Sequence, residues 1–126
     1  MEYCLSANPN INVVYAINEP AAEGAYNALK AAGKADQVQI YAIDGSCAGL
    51  KFVTSGEFTA DAVQYPGKMA GLGVDSIAKL ARGGAKPSVT DGKDFFDTGT
   101  ALVATKPAGS LTIQSPTDAA SACWGS

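Results

Sequence analysis

Two near-continuous apolar runs, Ile11–Ile17 and Val38–Ile43, flank an alanine-rich stretch with helical spacing, Pro20–Ala32, which Gly33 closes. A strand buried on both faces reads as an unbroken apolar run, and a glycine just past a helix supplies the left-handed C′ residue. Strand period, helix period and strand period again over so short a distance have one local solution, a βαβ unit. Beyond "DGS", Ala48–Thr54 predicts a short helix stopped by Gly56, and Phe58–Gln64 alternates as a third strand, so a second crossover follows at once. The expected fold is α/β: an open, mostly parallel, doubly wound sheet with helices on both faces.

The flanks are less regular. Met1–Ala7 reads as the last turns of a helix, ended by the turn chemistry of Asn8, Pro9 and Asn10. After the break at Pro66, Met69, Leu72, Gly73, Ile77 and Leu80 fall along one helical face, which needs an apolar partner, and Gly83 and Gly84 stop that helix. The run "FFDTGTALVA" predicts a strand bent near Gly99; a loop at Lys106 and Pro107 and a polar tail ending in "CWGS" follow. There is no internal repeat and no low-complexity tract.

Composition narrows the function. With 126 residues, 47% of them hydrophobic and 17% charged, the chain has the balance of one compact domain with a real core. A net charge of -3 and a single arginine, Arg82, leave no basic stripe for a phosphate backbone, so no nucleic-acid partner is expected. No apolar run approaches the roughly 20 residues that cross a bilayer, and Met1–Asn10 has neither the basic start nor the apolar centre of a signal peptide. Histidine is absent, which removes the commonest general base and transition-metal ligand; no catalytic residue, metal or cofactor is expected. Cys4, Cys47 and Cys123 contain no C-x-x-C pair. They allow one disulfide and an odd thiol, or three thiols, and composition does not choose.

Three strands end in a polar side chain just before a turn: Asn18 after "VVYAI", Asp44 after "IYAI" and Gln64 after "TADAV". Parallel βαβ topology puts all three carboxyl ends on one edge of the sheet, outside which open α/β sheets bind their ligands. Two amides and a carboxylate offer neutral donors and acceptors plus one strong acceptor, which suits a polyhydroxylated neutral solute better than a phosphate or a hydrophobe. Each residue also has an ordinary structural role: Asn18 as N-cap, Asp44 in an Asp-Gly turn, Gln64 as an exposed strand end. Their coincidence on one edge is what raises the ligand reading. Glu19 and Tyr65 adjoin the set as weaker candidates, since a first-turn glutamate suits the helix dipole and a tyrosine before proline needs no special account.

The stretches "VVYAINEPAAEGAYNALKAAGK", "VQIYAIDGSCAGLKFVTSGEFTADAVQYPGKMAGLGVDSIAKL" and "DFFDTGTALVATK" resemble, in order and spacing, the C-terminal part of the type I periplasmic sugar-binding proteins of ABC transporters, the family that includes the ribose- and fructose-binding proteins. The resemblance implies that Asn18 of the "NE" step, Asp44 of the "DG" step and Gln64 before the next crossover hydrogen-bond sugar hydroxyls. It implies a neutral monosaccharide as ligand, a membrane permease as partner of the full-length form, and a periplasmic or otherwise extracytoplasmic location. Family members have two lobes and three crossings between them. Residues 1–65 then correspond to the second, sugar-binding lobe, 66–104 to a segment of the first lobe, and 105–126 to the return, the whole forming one compact unit or part of a dimer. The first lobe's aromatics and arginines have no counterpart here.

On the same resemblance Cys47 and Cys123 fall in one lobe and can pair, closing a loop whose chain-entropy stabilisation is about 4 kcal/mol, with Cys4 left free. The exposed faces left by a missing lobe imply self-association, most simply a symmetric dimer, or refolding onto the chain's own sheet. Two other readings compete. The effector lobe of a LacI-type regulator shares the fold, but neither a helix-turn-helix nor a basic segment is present. An enzyme on a flavodoxin- or receiver-like sheet, with Asp44 as phosphoacceptor, would want an acidic cluster near the first strand and a lysine at a later strand end, and neither is found.

Overall fold

The computed structural model describes residues 1–125. Helix α1 (Glu2–Ala7) leads into strand β1 (Val13–Tyr15), then α2 (Glu19–Ala31), β2 (Gln39–Asp44), α3 (Cys47–Ser55), β3 (Ala60–Val63), α4 (Pro66–Ala81), β4 (Ala101–Ala104) and α5 (Pro116–Ala119). The four strands form one sheet in the order β1-β2-β3-β4. The first three are parallel; β4 runs antiparallel to β3.

Helix α2 forms where alanine content, Pro20 in its first turn and the Asn18 cap agree, and it buries Ala22, Ala25 and Leu29 along one stripe. Helix α3 is capped by Ser46 and ends at Gly56, whose φ of 83° is open to a residue without a Cβ. The chain then turns Phe58 inward, and its ring packs 4.9 Å from that of Phe52. Both crossovers step the same way across the sheet. Right-handed connections therefore place α2 and α3 on the same face, over Ile40, Ala42, Val63 and Val103 of the core.

The opposite face is less covered than a doubly wound sheet predicts. Val13 and Tyr15 on the edge strand, and Ile17 just beyond it, are exposed. Strand β1 is accordingly shorter than the apolar run Ile11–Ile17, because only its β2 side is paired. Helix α4 buries no residue: Met69, Leu72, Val74, Ile77 and Leu80 all stand exposed. The segment that follows folds back beside it through Lys68 Nζ donating to the Thr98 carbonyl at 2.7 Å, leaving a groove of about 650 Å³ lined by Met69, Leu72, Val89 and Phe96.

One expectation changes. The strand predicted from Phe95 forms only at Ala101–Ala104, because Asp97 accepts from the Gly99 N–H at 2.7 Å and Gly99 takes a φ of 86°, a turn that breaks extension. As β4 pairs with β3, the last four residues of the stretch assigned above to a first lobe lie in this same sheet. The exposed apolar edge of β1 and face of α4 are the two surfaces through which the chain would self-associate. Light scattering at tens of micromolar should find a dimer or larger species; a monodisperse monomer would show that neither face is sticky enough to matter.

Candidate functional site

The carboxyl ends of β1, β2 and β3 meet at one edge, and a chain of hydrogen bonds joins them. Asn18 follows β1 and caps α2, its Oδ1 accepting from Ala21 N–H at 2.9 Å. The amide NH2 of the same side chain is left to donate elsewhere. One residue on, the Glu19 N–H donates to Asp44 Oδ2 at 3.2 Å. Asp44 Oδ1 accepts from Gln64 Nε2 at 2.9 Å. Asn18, Asp44 and Gln64 are thus brought together, all three half-buried. A carboxylate has about four acceptor sites, so Asp44 retains capacity after its two protein bonds. It is also the only non-glycine among the described residues with positive φ, at 154°, a strained backbone for a residue with a Cβ.

Glu19 does something other than face the open edge. Its side chain is buried and runs beneath the Asp44–Gly45–Ser46 turn. Oε1 accepts from Gly45 N–H at 3.0 Å and from Ser46 N–H at 2.8 Å, while Oε2 accepts from the Ser46 hydroxyl. Glu19, expected above as a weaker ligand candidate, instead turns both oxygens inward onto this turn. Tyr65 is half-buried and packs on the core, near Gly99, where an added side chain would reach within 3.8 Å of its ring.

Two residues at this edge escaped the sequence pattern. Asp61 is fully buried on β3, level with Ala42 of β2 and Val103 of β4. Its Oδ2 accepts from the same Gly45 N–H at 3.0 Å, and its Oδ1 has no partner. Burial, then the hydrogen bond and charge of Glu19, push its carboxyl up to about 7. Trp124 is the second. Cys47 and Cys123 are joined by a disulfide, their Cα atoms 4.9 Å apart across 76 residues, and this fixes the adjacent Trp124 so that its Nε1 donates to the Asp44 carbonyl at 3.1 Å. Cys47 N–H in turn donates to the Trp124 carbonyl at 2.9 Å. Cys4 is a free, exposed thiol. The signal for Trp124 lay in its place beside a cysteine; for Asp61 the alternating pattern of β3 held none.

Gly49 shows how tightly Glu19 is seated: a Cβ there would stand 1.8 Å from Glu19 Oε1, whereas one at Gly24 on α2 would meet nothing within 4 Å. Gly24→Ala should therefore stabilise by about 0.5–1 kcal/mol, and Gly49→Ala should destabilise by about 1–3 kcal/mol through overpacking. Urea unfolding of the two variants reads both signs, and equal effects would contradict this seating.

The chain as a whole is similar to known proteins. A family model described as a periplasmic binding protein domain matches residues 1–85. The ribose import binding protein of Escherichia coli is 36% identical over 83 residues, 66% of this chain and 28% of that protein. The D-allose-binding periplasmic protein of the same species is 31% identical over 80 residues, 64% of this chain and 26% of that one. Among solved structures, an ABC transporter solute binding protein from Agrobacterium vitis with bound D-fucose superposes with a TM-score of 0.69 at 33% identity, over 82% of this chain and 34% of that chain. Another from Actinobacillus succinogenes, with bound D-allose, gives a TM-score of 0.72 at 27% identity over the same 82% and 34%. The chain spans about a third or less of the length of these relatives. With well over half of its residues under the family's model and its fold shared with those structures, the chain belongs to the periplasmic binding protein domain family.

Proposed function

We propose that these residues form one wall of a monosaccharide site in a solute-binding protein that delivers sugar to the permease of an ABC transporter from the periplasmic side. The observation that carries this reading is the grouping at the sheet's carboxyl edge, where Gln64 bonds Asp44, Asp44 accepts from the Glu19 N–H, and Asn18 stands next to Glu19 as the cap of α2. Asn18 keeps its NH2 and Asp44 keeps lone pairs, a donor and an acceptor on rigid supports, which is what adjacent sugar hydroxyls require. The relatives named for ribose and allose import, and the neighbours holding D-fucose and D-allose, agree with that chemistry. They also favour transport over the regulator reading. No step of this function needs a bond to be broken, and the grouping contains no nucleophile paired with a base.

In this reading residues 1–65 and the return through β4 and α5 form the sugar-contacting lobe. Helix α4 and the segment up to Thr100 reach toward the other lobe, which accounts for a helix with no buried residue. The isolated chain then supplies half of a cleft. If a whole receptor binds at micromolar strength, about -8.2 kcal/mol, a lobe keeping half of that binds near millimolar.

Asp44 should dominate, because a carboxylate accepts from two hydroxyls and its removal leaves them unpaired in a closed cleft. Asp44→Ala in a two-lobed parent should weaken sugar binding tenfold or more, about 1.5–3 kcal/mol. Calorimetry with ribose, allose and D-fucose measures this, and unchanged affinity for all three would remove Asp44 from the site.

A further inference from the structure

We propose that Glu19 and Asp61 are positioning residues which hold one proton between their carboxyl groups, and that this shared proton sets the Asp44–Gly45–Ser46 turn from below. The sharing of the proton needs no ligand. Only the consequence for sugar contact, through Asp44, rests on the function proposed above.

The geometry leaves few alternatives. The Gly45 N–H is split between Glu19 Oε1 and Asp61 Oδ2, both at 3.0 Å, so the two carboxyl groups converge on one backbone donor. Glu19 takes two further donors, the N–H and the hydroxyl of Ser46, which are the surroundings of a carboxylate. Asp61 has no second donor: its Oδ1 is buried with nothing to bond. An ionised Asp61 would place a poorly solvated charge beside a like charge, whereas a protonated one donates its O–H to Glu19 and removes both costs.

Among the described residues no cation pairs with either carboxyl. The groups facing Asp61 are Glu19 at the start of α2, Asp44 at the end of β2, and uncharged Val103 across from it on β4. From α3 come its cap residue Ser46 and Gly49, both uncharged and both against Glu19. Among the described residues the only salt bridge is Lys93–Asp97, in the segment after α4. Burial first, then hydrogen bonding and repulsion from Glu19, raise the Asp61 carboxyl from 3.8 to about 7.

The sign follows from linkage. A carboxyl whose folded value lies above its unfolded one binds more protons when folded, so its stabilising contribution is complete below about 3.8 and is lost as pH rises through about 7. Near neutral pH the pair is therefore close to its midpoint. Losing the proton puts two negative charges under Gly45, and the turn that carries Asp44 must shift or take in water.

The test is carbon and amide NMR on this chain without sugar. The Asp61 carboxyl carbon should titrate with a midpoint near 7, and the Gly45 amide should move with the same midpoint. In Asp61→Asn, whose NH2 donates to Glu19 as the protonated acid would, the Gly45 amide should stop moving across that range, and the fall in stability from about pH 4 to about pH 7 should flatten. An Asp61 carbon with a midpoint near 4 in the wild-type chain would overturn the proposal, and that measurement does not depend on any variant folding. So would a Gly45 amide that titrates unchanged in a folded Asp61→Asn. Loss of sugar binding in a two-lobed parent with both titrations as stated would count against the sugar-site reading and leave the proton pair standing.

Discussion

The fold and its site turn on one buried carboxylate. Glu19 opens α2, yet its side chain serves the next crossover by gripping Gly45 and Ser46, while its own N–H holds Asp44. Two βαβ units that share β2 and one hydrophobic core are locked again at the edge where a ligand would sit. Removing a charge from water this completely is tolerated only when it is well hydrogen-bonded, and the turn gives it three donors. The absence of a Cβ at Gly49 makes the space. Position, glycine and cap therefore form one unit, and a substitution at any of them is felt at Asp44.

The second constraint comes from far along the chain. The Cys47–Cys123 bond brings the tail back to the β2–α3 turn, where Trp124 hydrogen-bonds the Asp44 carbonyl. The Asp44 turn is thus held from beneath by Glu19 and from the tail by Trp124. Under the chain-entropy model a loop of this size is worth about 4 kcal/mol, and here the constraint falls on the residue that strains its own backbone most. Rigid support for a strained residue is the usual companion of a binding edge.

Much of this was legible in the sequence, for physical reasons that can be located. Ile11–Ile17, Val38–Ile43 and the alanine-rich stretch between them announced the βαβ unit because apolar period is set by which faces are buried. Asn18, Asp44 and Gln64 announced the edge because each stands where a strand stops. What failed to show was tertiary. Nothing in "TADAV" tells a buried Asp61 from an exposed one, since alternation marks one face as polar and Asp61 instead faces the helices. Glu19 satisfied every local reason to sit at a helix N-terminus, so its inward turn was invisible. The Phe95–Thr100 stretch had strand composition, but a local turn at Asp97 and Gly99 outweighed it.

The most direct measurement of the central claim is an NMR titration of the isolated chain with D-allose at millimolar levels, following side-chain amides. The account predicts concerted, saturable shifts at the Asn18 and Gln64 NH2 groups and at the Gly45 amide, with the groove beside α4 unaffected. Shifts confined to Met69, Val89 and Phe96, or no saturable change at the sheet edge at all, would contradict it.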